Sequence, residues 1–254
     1  MGLLNPLGLL NNDPSKLVRV EEVPSGLACN CFCAKCGSPF EAVHPKSKRK
    51  HFRHHQTVDC QGSFESAVHL LAKKVLVQNK CLMLPYLKVQ PSKSLWQLGT
   101  RVMQEELVVE RKLWHFESVK DEVRMDGRIP DIVMWKGERK LLVEIFVTHD
   151  ITEEKLEWIR ERDLATIRVD LSWADYDITE NLLVKSLRDG RRVNTTLRTN
   201  IVRWVHHPWE KAAQERVNAD YLHSIAESLG MGENGVVTPV KGKTETQLGL
   251  FQDR

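Results

Sequence analysis

The stretches Ile129-Pro-Asp131 and Lys140-Leu-Leu-Val-Glu-Ile-Phe-Val-Thr148 decide the fold class of this chain. The second stretch is almost continuously apolar, which is typical of a strand that is buried on both faces of a sheet. Asp131–Trp135 also has the composition of a strand, and the turn residues at 136–139 predict a hairpin between the two. The sequence therefore predicts two neighbouring strands in the core.

The segments around this hairpin predict an alternation of helices and strands. Apolar residues recur at helical spacing from Phe64 to Leu76, with Ser63 as a suitable cap. Thr152 is a suitable cap for a second helix, which reaches Arg162. The other expected elements are strands at 107–109, 113–116 and 166–171 and helices at 179–188 and 208–229. This order predicts a mixed α/β fold.

A carboxylate interrupts the most apolar of these strands. Glu144 stands between Val143 and Ile145, and a buried carboxylate is costly unless it is paired or bound to a cation. The hairpin can bring Asp131 beside it, and two such oxygen ligands form half of a Mg²⁺ or Mn²⁺ site. The alternative is that Glu144 pairs with an Arg or Lys and only stabilises the fold.

Ile-Pro-Asp131, twelve intervening residues and then Glu144-Ile-Phe resemble the signature of PD-(D/E)XK nucleases. The resemblance implies a restriction-endonuclease-like core, a mixed sheet flanked by helices, that hydrolyses DNA phosphodiester bonds. It also implies that Asp131, Glu144 and the backbone carbonyl of Ile145 bind Mg²⁺ or Mn²⁺. The sequence departs from the signature at Phe146, where the family has a lysine that stabilises phosphate charge.

Two further residues receive roles from this resemblance. Lys155, one turn into the next helix, is the expected replacement for the missing lysine, or else a surface lysine. Glu65 shares a helix face with His69 and Lys73 and is expected to complete the metal site. The alternative for Glu65 is a first-turn acid that the helix dipole favours. His149 is expected either to contact the bound phosphate or to cap a strand end.

Four of the six cysteines lie between Cys29 and Cys36, which indicates a metal site rather than a disulfide framework. Cys33-Ala-Lys-Cys36-Gly resembles a zinc knuckle. Together with His51-Phe-Arg-His54, Cys60 and Gly62-Ser-Phe-Glu65, it resembles the N-terminal part of CoiA-like competence proteins, which join a zinc module to the nuclease helix. The expected ligands of a structural Zn²⁺ are the following: Cys33, Cys36, His54 and Cys60, with His51 as an alternative. Cys29 and Cys31 remain alternative ligands or packing thiols.

The C-terminal segment predicts a partner. Gln247-Leu248-Gly-Leu250-Phe251 resembles the peptide by which bacterial replication and repair proteins bind the sliding clamp. The alternative is a latch that packs on the chain's own core. The predicted organisation is therefore a lead (1–26), a zinc-binding module (27–63), a nuclease-like domain (64–230) and a flexible tail (231–254).

Composition narrows the class of protein. No apolar stretch approaches the roughly 18 residues of a membrane span. The apolar start at 1–10 has no basic region and is broken by Pro6, so we expect a strand or packing arm there and a cytoplasmic protein. The net charge of +3 is small, but residues 46–55 hold five Lys or Arg and no acid, which favours DNA or RNA as partner. The alternatives to a nuclease are a degenerate DNA-binding accessory protein recruited to the clamp and a zinc-containing scaffold.

Overall fold

The computed structural model describes residues 4–96, 105–193, 195–196 and 199–228. The helices are α1 (Ser63–Asn79), α2 (Lys93–Trp96), α3 (Glu153–Glu161), α4 (Glu180–Asp189) and α5 (Glu210–Ser228). The strands are β1 (Leu7–Leu10), β2 (Leu17–Arg19), β3 (Gly26–Phe32), β4 (Pro39–Val43), β5 (His51–His54), β6 (Cys81–Leu84), β7 (Leu87–Val89), β8 (Glu106–Val109), β9 (Lys112–His115), β10 (Ser118–Asp121), β11 (Ile132–Lys136), β12 (Arg139–Phe146), β13 (Thr166–Asp170) and β14 (Val202–His206). The fold is mixed α/β, as the sequence predicts.

The main sheet has the strand order β10-β11-β12-β13-β14. Its pairings are antiparallel except between β12 and β13, which are parallel. The hairpin of β11 and β12 pairs Ile132 with Val143. One step further along this register, Asp131 stands opposite Glu144, so the hairpin brings the two carboxylates to the same end of the sheet.

Both faces of the main sheet are covered. Alternate residues of a strand point to opposite faces, so Ile132 and Val143 pack with the buried side of α1, whereas Val133 and Leu142 pack with Ile159 of α3. By the same alternation Glu144 lies on the α3 face. The apolar composition of β12 therefore follows from its burial on both sides.

A second five-stranded sheet, in the order β2-β1-β3-β4-β5, is built from the first part of the chain. The apolar start forms β1, whose Leu7 packs into the core beneath the main sheet. Phe40 and Phe52 stack inside the second sheet with ring centroids 5.4 Å apart. The expected lead and zinc-binding segments thus share one sheet, and the boundary drawn at residue 26 falls within it.

Helix α1 begins differently from the sequence expectation. Its N-cap is Gly62, which has a φ of +80° that favours glycine, and not Ser63. The Ser63 hydroxyl instead accepts a hydrogen bond from Asn5 Nδ2 at 2.8 Å, which ties the start of α1 to the lead segment. Thr152 caps α3 through its side chain, as the sequence predicts, and Thr179 caps α4 in the same way.

Helix α5 covers the small β7–β8 sheet, where Val89 and Val109 pack against Val217. No helix among the described residues is both long enough and apolar enough to cross a membrane. The tail that carries the predicted clamp-binding motif, residues 231–254, lies outside the described residues.

Candidate functional site

A cleft of about 230 Å³ opens where β12 ends and the loop to α3 begins. Because the strands on either side deliver their polar residues to this end of the sheet, the cleft gathers side chains from α1, β11, β12, α3 and β13. The lining side chains that the site depends on are Asp131, Glu144, Phe146, His69, Asp150, Lys155 and Arg168.

Asp131 is fixed by two contacts. Its Oδ2 accepts a hydrogen bond from the Ile145 backbone N–H at 2.8 Å, and His69 Nε2 lies 3.1 Å from the same oxygen. Burial is the largest influence on the carboxyl and raises its pKa, but the His69 and Ile145 contacts outweigh burial and hold the pKa of Asp131 below its ordinary value. Asp131 is therefore an ionised carboxylate with a fixed orientation.

Glu144 is almost fully buried, with 5% of its surface exposed. Its Oε2 accepts a hydrogen bond from Lys155 Nζ at 2.6 Å, while Oε1 is buried and has no hydrogen-bond partner among the described residues. Burial, helped by the negative charge of Asp131, raises the pKa of Glu144 to about 7 against the opposing charge of Lys155. The cleft thus holds one carboxylate oxygen whose bonding capacity is unused.

Lys155 reaches the cleft from the first turn of α3. The Thr152 cap fixes the start of that helix, and its hydroxyl accepts from the Lys155 backbone N–H. The ammonium group donates to Glu144 and, at 3.2 Å, to the carbonyl of Ile129 just before Asp131. The structure therefore places Lys155 between the two carboxylate-bearing strands rather than on the open surface.

Glu65 and His149 form a separate pair at the rim. Glu65 Oε1 lies 2.9 Å from His149 Nδ1, and His149 lines the cleft whereas Glu65 does not. Burial tends to raise the pKa of Glu65, but hydrogen bonds from Thr148 and His149 lower it below the ordinary value. Glu65 is thus coupled to the cleft through His149 and does not contact Asp131 or Glu144.

Two side chains of the cleft had no role assigned from the sequence. His69 was placed on the face of α1 that carries Glu65, and that spacing was the available signal, but its contact with Asp131 joins a helix to a distant strand. Arg168 gave no signal, because it is an arginine within a strand. The parallel pairing of β12 and β13 sets it opposite Glu144.

A second candidate site lies about the N-terminal sheet. Cys33, Cys36, His54 and Cys60 bring four ligand atoms within 4.8 Å of one another, so the cluster could hold a metal ion such as zinc. Cys33 Sγ and Cys60 Sγ are 3.8 Å apart, and Cys36 Sγ lies 3.4 Å from His54 Nε2. A tetrahedral zinc with bonds of about 2.3 Å to sulfur and 2.0 Å to nitrogen separates its ligands by about 3.8 and 3.5 Å.

The remaining Cys and His side chains of this segment are engaged elsewhere. Cys29 and Cys31 are buried with Phe40 inside the sheet and act as packing thiols. The alternative ligand His51 lies 3.1 Å from the carbonyl of Arg49 through its Nδ1 and is not part of the cluster. Four side chains expected from the sequence thus make up the cluster, and the alternatives do not.

The Cys/His cluster adjoins the start of α1. Cys33 Sγ lies 3.3 Å from the Ser63 hydroxyl, and Cys60 directly precedes the turn into the helix. Because α1 also carries Glu65 and His69, the cluster and the cleft are connected by one helix.

Comparisons of the chain with protein-family models, with curated proteins and with solved structures find no match. Function must therefore be argued from the cleft and the cluster themselves.

Proposed function

We propose that this chain is a metal-dependent nuclease of the PD-(D/E)XK type, which hydrolyses phosphodiester bonds of DNA. The observation that carries the proposal is Glu144, a carboxylate inside the most buried strand with one oxygen left unbonded and Asp131 beside it. Native proteins rarely keep such a group without a purpose, since an unsatisfied buried acceptor costs about 1–3 kcal/mol. A cation that binds there would compensate for that cost.

The order of elements supports a restriction-endonuclease-like core. Helix α1 is followed first by β6 to β9 and α2, which lie outside the main sheet, and then by the antiparallel strands β10, β11 and β12, by α3 and by β13 parallel to β12. This is the helix, three-strand, helix, strand order that the sequence resemblance implies. The carboxylates lie at the end of the central hairpin, as that resemblance also requires.

The donor set suits Mg²⁺ or Mn²⁺. Asp131 and Glu144 offer hard oxygen ligands, and the carbonyl of Ile145 is a third donor at the same cleft. With Asp150 the cleft walls hold three carboxylates against the two cations Lys155 and Arg168, so a negatively charged phosphate needs additional positive charge to enter. A divalent cation held by Asp131 and Glu144 would supply that charge and would activate water for attack on phosphorus.

The side chains around this position have separable tasks. His69 orients Asp131 and favours its ionised form. Lys155 keeps Glu144 in place and offers an ammonium group where negative charge develops on the phosphate, the role of the lysine that Phe146 replaces. Glu65 holds His149 at the rim, where the imidazole can contact a neighbouring phosphate.

We propose that the Cys/His cluster binds a structural zinc, in a module like that of CoiA-like proteins. Four protein ligands leave no open coordination position, which argues against catalysis at this ion. A thiolate cluster also requires a reducing compartment, so the cytoplasm is the proposed location.

Cleavage assays test the nuclease proposal. Labelled linear, nicked, branched and single-stranded DNA is incubated with wild-type protein, Asp131→Asn and Glu144→Gln, with Mg²⁺ or Mn²⁺ added. Both variants should lose at least about 100-fold in rate while folding normally. Glu154→Gln is a matched control, because among the described residues this exposed carboxylate of α3 pairs with Arg128, outside the cleft. Wild-type activity in both cleft variants would contradict the proposal.

Phe146 favours a second candidate function. The signature lysine is absent at this position, which would permit a protein that binds DNA without cutting it. Tight DNA binding by wild-type protein, combined with no cleavage of any substrate in either metal, would select this reading.

We further propose that the tail docks the chain on a bacterial sliding clamp. Gln247, Leu248, Leu250 and Phe251 would supply one polar contact and an apolar anchor at the end of a glycine-containing segment. Docking on the clamp would raise the concentration of the nuclease near DNA.

A further inference from the structure

A row of polar residues crosses the α3 face of the main sheet. In the register of the sheet, Glu144 of β12 stands opposite Arg168 of β13, and Arg168 stands opposite Arg203 of β14. Register partners point to the same face, so the three side chains lie side by side. Arg168 lines the cleft with 16% of its side chain exposed, whereas Arg203 lies outside the cleft and is largely exposed.

Arg168 is held in a fixed orientation from two directions. Its guanidinium carbon lies 4.6 Å from the centroid of the Phe146 ring, within the range of a cation–π contact. At the edge of the guanidinium, Arg168 Nη1 pairs with Asp150, and Arg168 Nη2 lies 3.6 Å from Asp170 Oδ2. The ring and the two aspartates thus hold the guanidinium with its Nη1 group on Asp150, which also lines the cleft.

We propose that Arg168 is a phosphate-binding residue of the cleft and that Phe146 is the residue that positions it. The proposal rests on the nuclease function proposed above and names how that site holds its substrate. Guanidinium groups bind phosphate through two parallel hydrogen bonds. Asp150, whose side chain is 55% exposed on the loop before α3, occupies that position in the free protein, and a DNA phosphate replaces it.

This reading also explains the departure at Phe146. A lysine at 146 would place a second cation next to Arg168, since both residues lie on the same face of neighbouring strands. An aromatic ring there stabilises the arginine instead. The positive charge that the signature places at position 146 is then supplied from two sides, by Lys155 on α3 and by Arg168 on β13.

Binding measurements test this assignment. The probe is a fluorescein-labelled duplex of about 20 base pairs, with Ca²⁺ in place of Mg²⁺ to prevent turnover, titrated with the full chain at several salt concentrations. Arg168→Gln should weaken binding about tenfold. The slope of log K against log salt should become less steep by about the amount that one phosphate contact contributes. Arg168→Lys should keep the slope but lose part of the affinity, because an ammonium group cannot bind bidentately.

Matched variants separate phosphate binding from a structural role. Arg203→Ala removes an arginine that pairs with the same Asp170, and it should change affinity less than twofold. Asp150→Asn removes the competing anion and should leave binding unchanged or tighter. If Arg168 served only to tie down the Asp150 loop, Asp150→Asn would weaken binding as much as Arg168→Gln. Phe146→Leu should weaken binding about threefold. Phe146→Tyr should keep the wild-type affinity, because it retains the aromatic ring.

The outcomes distinguish this inference from the function it rests on. Unchanged affinity and salt slope in Arg168→Gln, with wild-type protein that binds and cleaves DNA, would overturn the role of Arg168 and leave the nuclease standing. If Arg168→Gln does not fold, the decision passes to Arg168→Lys and Phe146→Leu, and wild-type affinity in both overturns the role. Wild-type protein that neither binds nor cleaves any DNA would overturn both proposals.

Discussion

The contact between Lys155 and Glu144 predicts an unequal cost for removing its two partners. Lys155→Met keeps the length and apolar stem of the side chain but leaves Glu144, 6% exposed, as a buried carboxylate without its cation. Glu144→Gln leaves an amide oxygen that still accepts a hydrogen bond from Lys155. We expect the lysine substitution to be much the more destabilising of the two.

The magnitude follows from burial. Removing one partner of a buried ion pair typically costs about 3–5 kcal/mol. The lower end, about 3 kcal/mol, applies because Lys155 is 18% exposed and the cleft admits water to the pair. Glu144→Gln should cost about 1 kcal/mol, the net value of one hydrogen bond. The double variant removes both charges and should also cost about 1 kcal/mol, which gives a coupling of about 3 kcal/mol.

Urea unfolding of the four proteins measures this coupling. The buffer is held at about pH 9, where Glu144, with its pKa of about 7, is ionised beside Lys155. It contains no Mg²⁺ or Mn²⁺, so that no cation compensates Glu144, and no chelator, so that the Cys/His cluster keeps any metal that it binds. Lys155→Met should lower the midpoint, and adding Glu144→Gln should restore most of it. Additive effects, or a cost below about 1 kcal/mol for Lys155→Met, would refute the buried pair. The cleavage rate of Lys155→Met should also fall about 100-fold, and a rate within threefold of wild type would remove Lys155 from the catalytic group.

Three other predictions concern the rest of the chain. Cys36→Ser should abolish a zinc content of about one ion per chain and lower the melting temperature by several degrees, whereas Cys81→Ala should keep the zinc; metal analysis and a thermal melt decide this. Burial lowers the pKa of His207 from 6.5 to about 4. Between these pH values the unfolded chain binds a proton that the folded chain does not, so the free energy of unfolding should fall by up to about 3 kcal/mol as the pH is lowered through this window. His207→Gln should flatten this dependence of the free energy of unfolding on pH. A peptide of residues 244–254 should bind a bacterial sliding clamp at micromolar Kd, about −8 kcal/mol, and Gln247→Ala should abolish binding; a full chain destabilised by truncation after residue 243 would indicate a latch instead.

The elements that the sequence predicts well are those set by local interactions. Helical spacing identified α1, the cap residue Thr152 identified the start of α3, helix α4 was expected at 179–188, and the turn residues at 136–139 identified the β11–β12 hairpin. Strands β10 and β14 were not expected, because these short segments of mixed polarity become strands only through pairing with β11 and β13. The sheet that joins β1 and β2 to β3 also depends on contacts between segments distant in sequence.

The residues of the candidate site also differ in whether local sequence or distant contacts bring them together. Asp131, Glu144 and Lys155 could be named because a hairpin and the helix that follows it bring them together over a short span of chain. The sequence could place His69 on a helix face but not identify the strand end that this face meets. Arg168 required the order and register of the whole sheet, since it lies opposite Glu144 only through parallel pairing across α3.

The charges of the cleft explain how a nuclease could dispense with the lysine at position 146. Lys155 contacts Glu144 at 2.6 Å and is largely buried, so it stabilises the metal-free protein and holds its ammonium group at a fixed place in the cleft. Arg168 is paired with an exposed aspartate on a loop, and a phosphate can displace such a partner at little cost because exposed ion pairs contribute about 1 kcal/mol or less. Lys155 therefore maintains the carboxylate site and meets the charge that develops on the phosphate, while Arg168 receives the incoming phosphate. A single lysine on β12 would have to combine these tasks.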